Sequence, residues 1–454
     1  MSHLFGFAFH GQLLPPPVKE VFVGEDVGRG LVATRNITRG EIIFTEAAAV
    51  SVLEDNGVPG CGFCGCSLAG VDASPILGQL DHPELFPSAP PVVKCNSCSE
   101  KYCSEHCRDK AESLFHRRLC AGCDRRPEGA LEGYSVYLAG QSQHTKLVIG
   151  MAMKLAAMML QEWDRNGHDV SSACAPFLRW TANRGLAEPL EVDAVVVHMH
   201  AVRVLSMDAE ERAWLDVTMI ETLLAMVCLN SIEVRMRSPF PDYFSALKRL
   251  STQDKDRAIE RMLQLSDGPA SRADAFFHGL CGTRGGAMFA LHACLNHSCQ
   301  PVAEVRCGGF VSHSIDVVAV ENIAANSPIT ISYVAPNLSW YRRCEILQSN
   351  YGFICACACG CGLRVDVWSR LMCWLMVLYI WTMVDERFNL WVGNAVWSVI
   401  ICIRARGIHS ILLHVWRRAI VSNAVGGQRR LRGRSKPPVL NRLVLVVVFK
   451  GLIV

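Results

Sequence analysis

Four pairs of soft metal ligands fall within residues 61 to 120, and they constrain how that segment can hold together. Cys61-x2-Cys64 is followed by Cys95-x2-Cys98, then Cys103-x3-Cys107, then His116-x3-Cys120. Each spacing lets two donors converge on one tetrahedral ion, so the eight ligands call for two zinc ions. The last pair falls on a helical pattern, where residues four apart share a face. Cys66 competes for the first site and Cys123 is a spare thiol. Scattered buried cysteines, the alternative, would not fall into regular pairs. A stretch this rich in Cys and His cannot supply a conventional core, so metal binding must supply part of its folding energy.

The chain has 22 cysteines in 454 residues, and the compartment decides what they can do. Met1 to Glu20 lacks a basic n-region, and His10-Gly11 breaks its apolar run, so it does not read as a signal peptide. Clustered thiols without an export signal point to metal in a reducing compartment, nucleus or cytosol, rather than to disulfides. With 50% hydrophobic and 19% charged residues, the chain is not disordered and can bury sizeable cores in several domains. From residue 364 onward, 14 Lys+Arg stand against 3 Asp+Glu, which leaves the first 363 residues with 31 basic and 39 acidic groups. That acidic body favours basic peptide partners over nucleic-acid phosphates. Nor do paired zinc crosslinks of this kind present a reading helix, so sequence-specific nucleic-acid binding is not expected.

Around the ligand pairs the pattern changes several times. Val21 to Val52 is rich in β-branched residues and holds Gly28-Arg29-Gly30 and a turn at Arg39-Gly40, which predicts short strands joined by tight turns. Residues 144 to 265 carry apolar side chains at three-to-four spacing, as in Leu147 to Trp163 and Trp214 to Leu229, which predicts helices. Met151, Met153, Met158 and Met159 read there as core packing rather than a cofactor site. Asp208, Glu210, Glu211 and Asp216 read as a solvated face, with a surface for a basic substrate as the alternative. Strand-like runs return at Ser314 to Val320 and Ile329 to Tyr333, and a second cysteine group follows at 355 to 361. The tail from 364 holds six of the ten tryptophans, apolar runs too short for a comfortable membrane span, and a basic stretch from Gly426 to Pro438. It reads either as a reversible membrane anchor with a polybasic flank or as sequence that never evolved to fold. Membrane contact is expected only under the first reading.

Three further segments carry a resemblance. Leu295-Asn296-His297-Ser298-Cys299-Gln300-Pro301 precedes Ile329-Thr330-Ile331-Ser332-Tyr333, and Asn350-Tyr351-Gly352-Phe353-Ile354-Cys355-Ala356-Cys357 comes next. In this order, after Gly28-Arg29-Gly30, they resemble the SET domain of protein lysine methyltransferases. The cysteine pairs resemble the MYND finger, although the gap from Cys64 to Cys95 is longer than in most such fingers. A MYND finger set early in a SET domain and followed by a helical insert is the layout of the SET-and-MYND (SMYD) family. The segment His82-Pro83-Glu84-Leu85, with Phe289 and Cys294, is most similar to the fifth SMYD branch.

The resemblance implies an α+β fold: a SET β-core of short strands, interrupted by a two-zinc MYND finger and a helical insert, and closed by a zinc-binding post-SET loop. It divides the chain into an N-terminal SET part (21–56), the finger (61–120), the insert (130–275), the C-terminal SET core (276–334), the post-SET loop (335–363) and the tail (364–454). It implies a protein-lysine N-methyltransferase that uses S-adenosylmethionine (SAM) on histone or other basic protein segments. Tyr333 is then the catalytic tyrosine and Tyr351 lines the lysine channel. Gly28, Arg29, Gly30, Asn230, Asn296, His297, Tyr333 and Phe353 are the expected cofactor residues. In the finger, Cys61, Cys64, Cys103 and Cys107 hold one zinc, and Cys95, Cys98, His116 and Cys120 hold the other. A third zinc takes Cys299, Cys355 and Cys357. Where the family has its fourth ligand this chain has Gly360, flanked by Cys359 and Cys361, of which Cys359 is preferred. Val302 stands where many SET domains have asparagine. The competing reading is an inactive SET and MYND scaffold that recruits Pro-rich partners, and retention of Asn296, His297 and Tyr333 favours the enzyme.

Overall fold

The computed structural model describes residues 16–355, apart from 25–26, 56, 71–73, 178–179, 184–191, 236–238, 267–275, 277–279, 281, 283 and 308–313. All of them belong to one unit, Met1–Gly362. The tail, with its two readings, and the expected ligands Cys357 and Cys359, with Cys361, lie outside the described residues. In chain order the described strands are β1 (Val18–Gly24), β2 (Gly28–Ala33), β3 (Ile42–Ala47), β4 (Val50–Leu53), β5 (Val93–Lys94), β6 (Lys101–Tyr102), β7 (Ser231–Arg235), β8 (Arg284–Met288), β9 (Asn296–His297), β10 (Ala303–Cys307), β11 (Ser314–Ala319) and β12 (Pro328–Ile331). The helices that matter below are α1 (Glu105–Ala111), α2 (Arg117–Leu119), α3 (Ala130–Ala139), α4 (Gln143–Arg165), α5 (Val170–Cys174), α6 (Ala194–Val204), α7 (Ala209–Trp214), α8 (Val217–Asn230), α9 (Phe240–Leu247), α10 (Thr252–Ser266) and α11 (Trp340–Tyr351).

Short β-branched runs separated by turns give small sheets rather than one large one. One sheet has the order β1-β2-β12-β9, antiparallel except for a parallel pairing of Thr330 with Asn296 and Ile331 with His297. A second has the order β10-β11-β3 and a third β4-β8-β7. Leu31, Ile43, Phe44, Leu295, Val317 and Ile329 are buried together in one core. Fully burying side chains of this size stabilises by about 1.5–3 kcal/mol each.

A second core surrounds α4, whose N-terminus is capped by the Ser142 hydroxyl accepting from Thr145 N–H. Met151, Met153, Met158 and Met159 are all buried in it. Tyr102 and Phe115 of the cysteine-rich segment belong to the same core, so the finger and the helices share one apolar wall. A third cluster joins Leu77, Leu80 and Phe86 to Phe240, Tyr243 and Leu247 of α9, and the Tyr243 hydroxyl donates to the Asp81 carbonyl. The long gap between the first two cysteine pairs is therefore a packed segment.

The sequence pattern predicts helices throughout 144–265, whereas the structure places β7 inside that stretch, paired with β8. Ser231-Ile232-Glu233-Val234-Arg235 alternates with period two, and five residues are too few to stand out after a helix. Among the described residues, no helix is long and apolar enough to cross a membrane.

Candidate active site and metal centres

The ends of β9 and β12 bring Asn296, His297 and Tyr333 together because the two strands run parallel in register. The Tyr333 hydroxyl donates to the Leu295 carbonyl at 2.6 Å. Burial, and then the charge of neighbouring Tyr351, push the Tyr333 phenol above its ordinary range, so it keeps its proton. Tyr351 is the last residue of α11, and its ring lies 4.8 Å from that of Tyr333. The Phe353 ring is 6.3 Å from Tyr333 and 6.4 Å from Tyr351, completing an aromatic wall.

Across the sheet, the Asn296 side-chain amide donates to the Arg29 carbonyl at 2.9 Å. A Cβ built on Gly30 would meet Val23 Cγ2 at 2.7 Å and Asn296 Nδ2 at 2.9 Å, so only glycine permits this approach. Arg29 pairs through its guanidinium with Glu20, 3.0 Å away, at the surface. Asn296 thus stands between the Gly30 backbone and, through neighbouring Leu295, the Tyr333 ring of the aromatic wall. Asn230 closes α8 and donates through Nδ2 to the Thr181 and Met226 carbonyls, 2.8 and 2.7 Å away, which leaves its amide oxygen to offer.

His297 lies with Cys299 and Cys355 in a third group of donors, all within 4.8 Å of one another. Its Nδ1 accepts from Tyr333 N–H at 3.1 Å, and its Nε2 lies 3.3 Å from Cys299 Sγ. Burial, and then Arg343, push this imidazole down to about 4, so it is neutral at pH 7. With Nδ1 accepting, Nε2 carries the proton and donates to the sulfur, so His297 is no metal ligand in this tautomer. Its side chain braces the thiols, and its backbone pairs with Ile331. Cys299 Sγ and Cys355 Sγ are 3.8 Å apart.

In the cysteine-rich segment, the donor atoms of Cys95, Cys98, His116 and Cys120 converge within 4.8 Å of one another. The ion of a tetrahedral thiolate site, with bonds of about 2.3 Å, holds its sulfurs about 3.8 Å apart. Cys95 and Cys120 sulfurs are 3.8 Å apart, and His116 Nε2 is 3.4 Å from Cys98 Sγ, so the donor set fits zinc. At the first site the mutual quartet is Cys61, Cys64, Cys66 and Cys103, while Cys107 Sγ lies beside it, 3.5 Å from Cys103 Sγ. Five thiols thus compete for four positions. Hydrogen bonding with Cys61 and Cys66, then burial, pushes the Cys64 thiol up, while contact with Cys64 and Cys66 lowers Cys61. A cation among them would ionise the whole set.

Three of the four acidic residues weighed above as a substrate face have structural work. Asp208 and Glu211 form a capping box on α7, and Asp216 caps α8. Glu211 also accepts from buried Arg118 at 2.6 Å, and Arg118 donates to Asp164 of α4 at 2.8 Å. This cluster clamps α2, between two finger ligands, onto the helices. Spacing in the sequence does not reveal it, because its members lie in three separate elements.

Comparison with known proteins places the chain. Residues 28–334 match the SET domain family. The protein-lysine N-trimethyltransferase SMYD5 of Gallus gallus is 28% identical over 366 residues, covering 74% of this chain and 84% of that protein. The same-named protein of Homo sapiens is 27% identical over 361 residues, again covering 74% and 84%. The histone-lysine N-methyltransferase ATXR2 of Arabidopsis thaliana is 24% identical over 325 residues, covering 63% of this chain and 66% of that protein. The resemblance to the fifth SMYD branch is therefore borne out along most of the chain.

Proposed function

The chain belongs to the SET domain family, and on that premise we propose that it is a SAM-dependent protein-lysine N-methyltransferase acting on histone or other basic protein segments. The observation that carries the reading is the junction of β9 and β12, where the protonated Tyr333 hydroxyl, bonded to Leu295, sits beside Asn296 under an aromatic wall. Bound SAM supplies a methyl group on a sulfonium sulfur. Asn296 and the Gly28–Gly30 backbone at the start of β2 would hold the cofactor, and Phe353 would offer a ring face to its base.

Tyr333 keeps its proton on Leu295, so its oxygen lone pairs remain to orient the lysine amine. Tyr351 and Tyr333 line the channel, and their ring faces suit an amine nitrogen that becomes cationic as it takes up a methyl group. The same apolar walls lower the lysine pKa, which favours the neutral, nucleophilic amine. The methylated lysine nitrogen would release its extra proton to solvent, since Tyr333 already holds its own.

The finer architecture belongs to the same proposal. A MYND finger with two zincs, in which Cys66 or Cys107 completes the first site, is followed by the helical insert. A post-SET zinc on Cys299, Cys355 and Cys357, with Cys359 as preferred fourth ligand, brings the expected total to three. Pro-rich peptides are the proposed finger partners, and nucleus or cytosol the proposed compartment.

Calorimetry on the full zinc-loaded chain tests the reading. SAM should bind the wild type, Asn296→Ala should abolish binding while circular dichroism is unchanged, and labelled methyl should pass to basic proteins. A folded, zinc-loaded wild type that binds no SAM would leave the scaffold reading in its place.

A further inference from the structure

Glu46 is a buried carboxylate on β3, on the same face of the strand as Phe44. Its Oε1 accepts from Ala290 N–H at 2.7 Å and Leu291 N–H at 2.8 Å, and its Oε2 accepts from His292 N–H at 2.9 Å. Three consecutive backbone donors thus converge on one side chain. Only a carboxylate, which accepts on both oxygens and donates on neither, satisfies all three. A glutamine would turn its own N–H2 toward one of them.

The chain beyond this anchor leads directly to the site. His292–Cys294 is a single 3-10 turn, closed by Cys294 N–H to Leu291 O and Leu295 N–H to His292 O, both 2.9 Å. Leu295 then offers the carbonyl that receives the Tyr333 proton, and Asn296 offers the amide that reaches Arg29. The strand β9 has only two residues, too few to hold its own position. Trp180 Nε1 fixes the other side of the anchor by donating to the Phe289 carbonyl at 3.0 Å.

We infer that Glu46 is a positioning residue: its carboxylate clamps the 290–292 backbone and thereby sets the placement of Leu295 and Asn296 in the cofactor pocket. The inference rests on the proposed role of Asn296 in holding SAM.

The test is calorimetry of SAM binding to the full zinc-loaded chain, comparing wild type, Glu46→Gln and Leu247→Ala. Leu247 is buried in the third cluster, with Phe86, Phe240 and Tyr243, which contains no residue of the clamp or the pocket, so its variant reports destabilisation alone. Irreversible misfolding lowers the number of binding sites, and reversible unfolding raises the apparent Kd in any variant equally destabilised. A misplaced pocket raises Kd beyond that, at unchanged stoichiometry. The expected result is SAM binding weakened about tenfold in Glu46→Gln with the stoichiometry kept, the scale of one buried charged hydrogen bond, and a wild-type Kd in Leu247→Ala. Should Glu46→Gln fail to fold, Glu46→Asp, which keeps the charge but shortens the reach, is read in the same way. An unchanged Kd with fewer sites, or an equal rise in Leu247→Ala, overturns the inference. A wild type that binds no SAM overturns the reading beneath it as well.

Discussion

The SET core and the cysteine-rich finger reach order by opposite means. The sheets around Leu31, Phe44, Val317 and Ile329 bury branched and aromatic side chains that need nothing further to cohere. In the finger, β5 and β6 have two residues each, and the thiol and imidazole groups converge with little apolar filling between them. Phe63, Leu68, Val93, Tyr102, Ala111, Leu114, Phe115 and Leu119 reach the neighbouring helical core, but along one side of the segment rather than between its donor groups. One region is held by water's exclusion, the other has its donor groups placed for ions, and each should therefore answer to a different perturbation.

The largest effect separating them should come from a strong zinc chelator. Structural zinc contributes on the order of 10 kcal/mol per site to modules of this kind. Hydrogen exchange should lose protection from Cys61 to Cys120 while β2, β3 and β11 stay protected. Uniform loss across both regions would mean that the contrast is wrong. Phe44→Ala probes the other side. It should cost about 3–5 kcal/mol through lost burial and an unfilled cavity, lowering Tm with the zinc content unchanged by atomic absorption. Loss of metal in that variant would tie the two regions together.

Acid gives a smaller effect on the SET side. Burial pushes His292 down to about 4, so the folded state keeps this imidazole neutral where the unfolded chain takes up a proton, below about 6.5. Stability is therefore complete above pH 6.5 and falls as the pH drops toward 4, by about 3 kcal/mol in total. Denaturant titrations at pH 7 and pH 5 should show this loss in the wild type and less of it in His292→Gln. Equal slopes would remove His292 as the cause.

Spacing alone made much of this legible. The second finger site was readable because each of its ligands lies in a pair at metal-binding separation. The four methionines of α4 were readable as core because the helix is apolar on nearly every side there, and it is buried almost all round from Met151 to Trp163. Other features depend on backbone geometry that spacing does not encode. Cys66 enters the first quartet because Gly65, with φ +64, turns the chain back after Cys64. The His297 ring faces the thiols because Tyr333 N–H holds its other nitrogen. Glu46 left one trace, a charge on the inward face of an otherwise apolar strand, which alternation flags without naming its partners.

The bond from Asn296 to Arg29 spans 267 positions of the chain. At translation rates of about 5–20 residues per second, the two ends of that bond leave the ribosome roughly 13 to 53 s apart. Throughout that interval β1 and β2 exist as a hairpin without the strand that will cover one edge, while the finger and the helices are completed downstream. The junction of β2 with β12 and β9 is thus among the last parts a nascent chain can assemble, and a chain truncated before Asn296 would keep both donor groups of residues 61–120 while lacking this junction altogether.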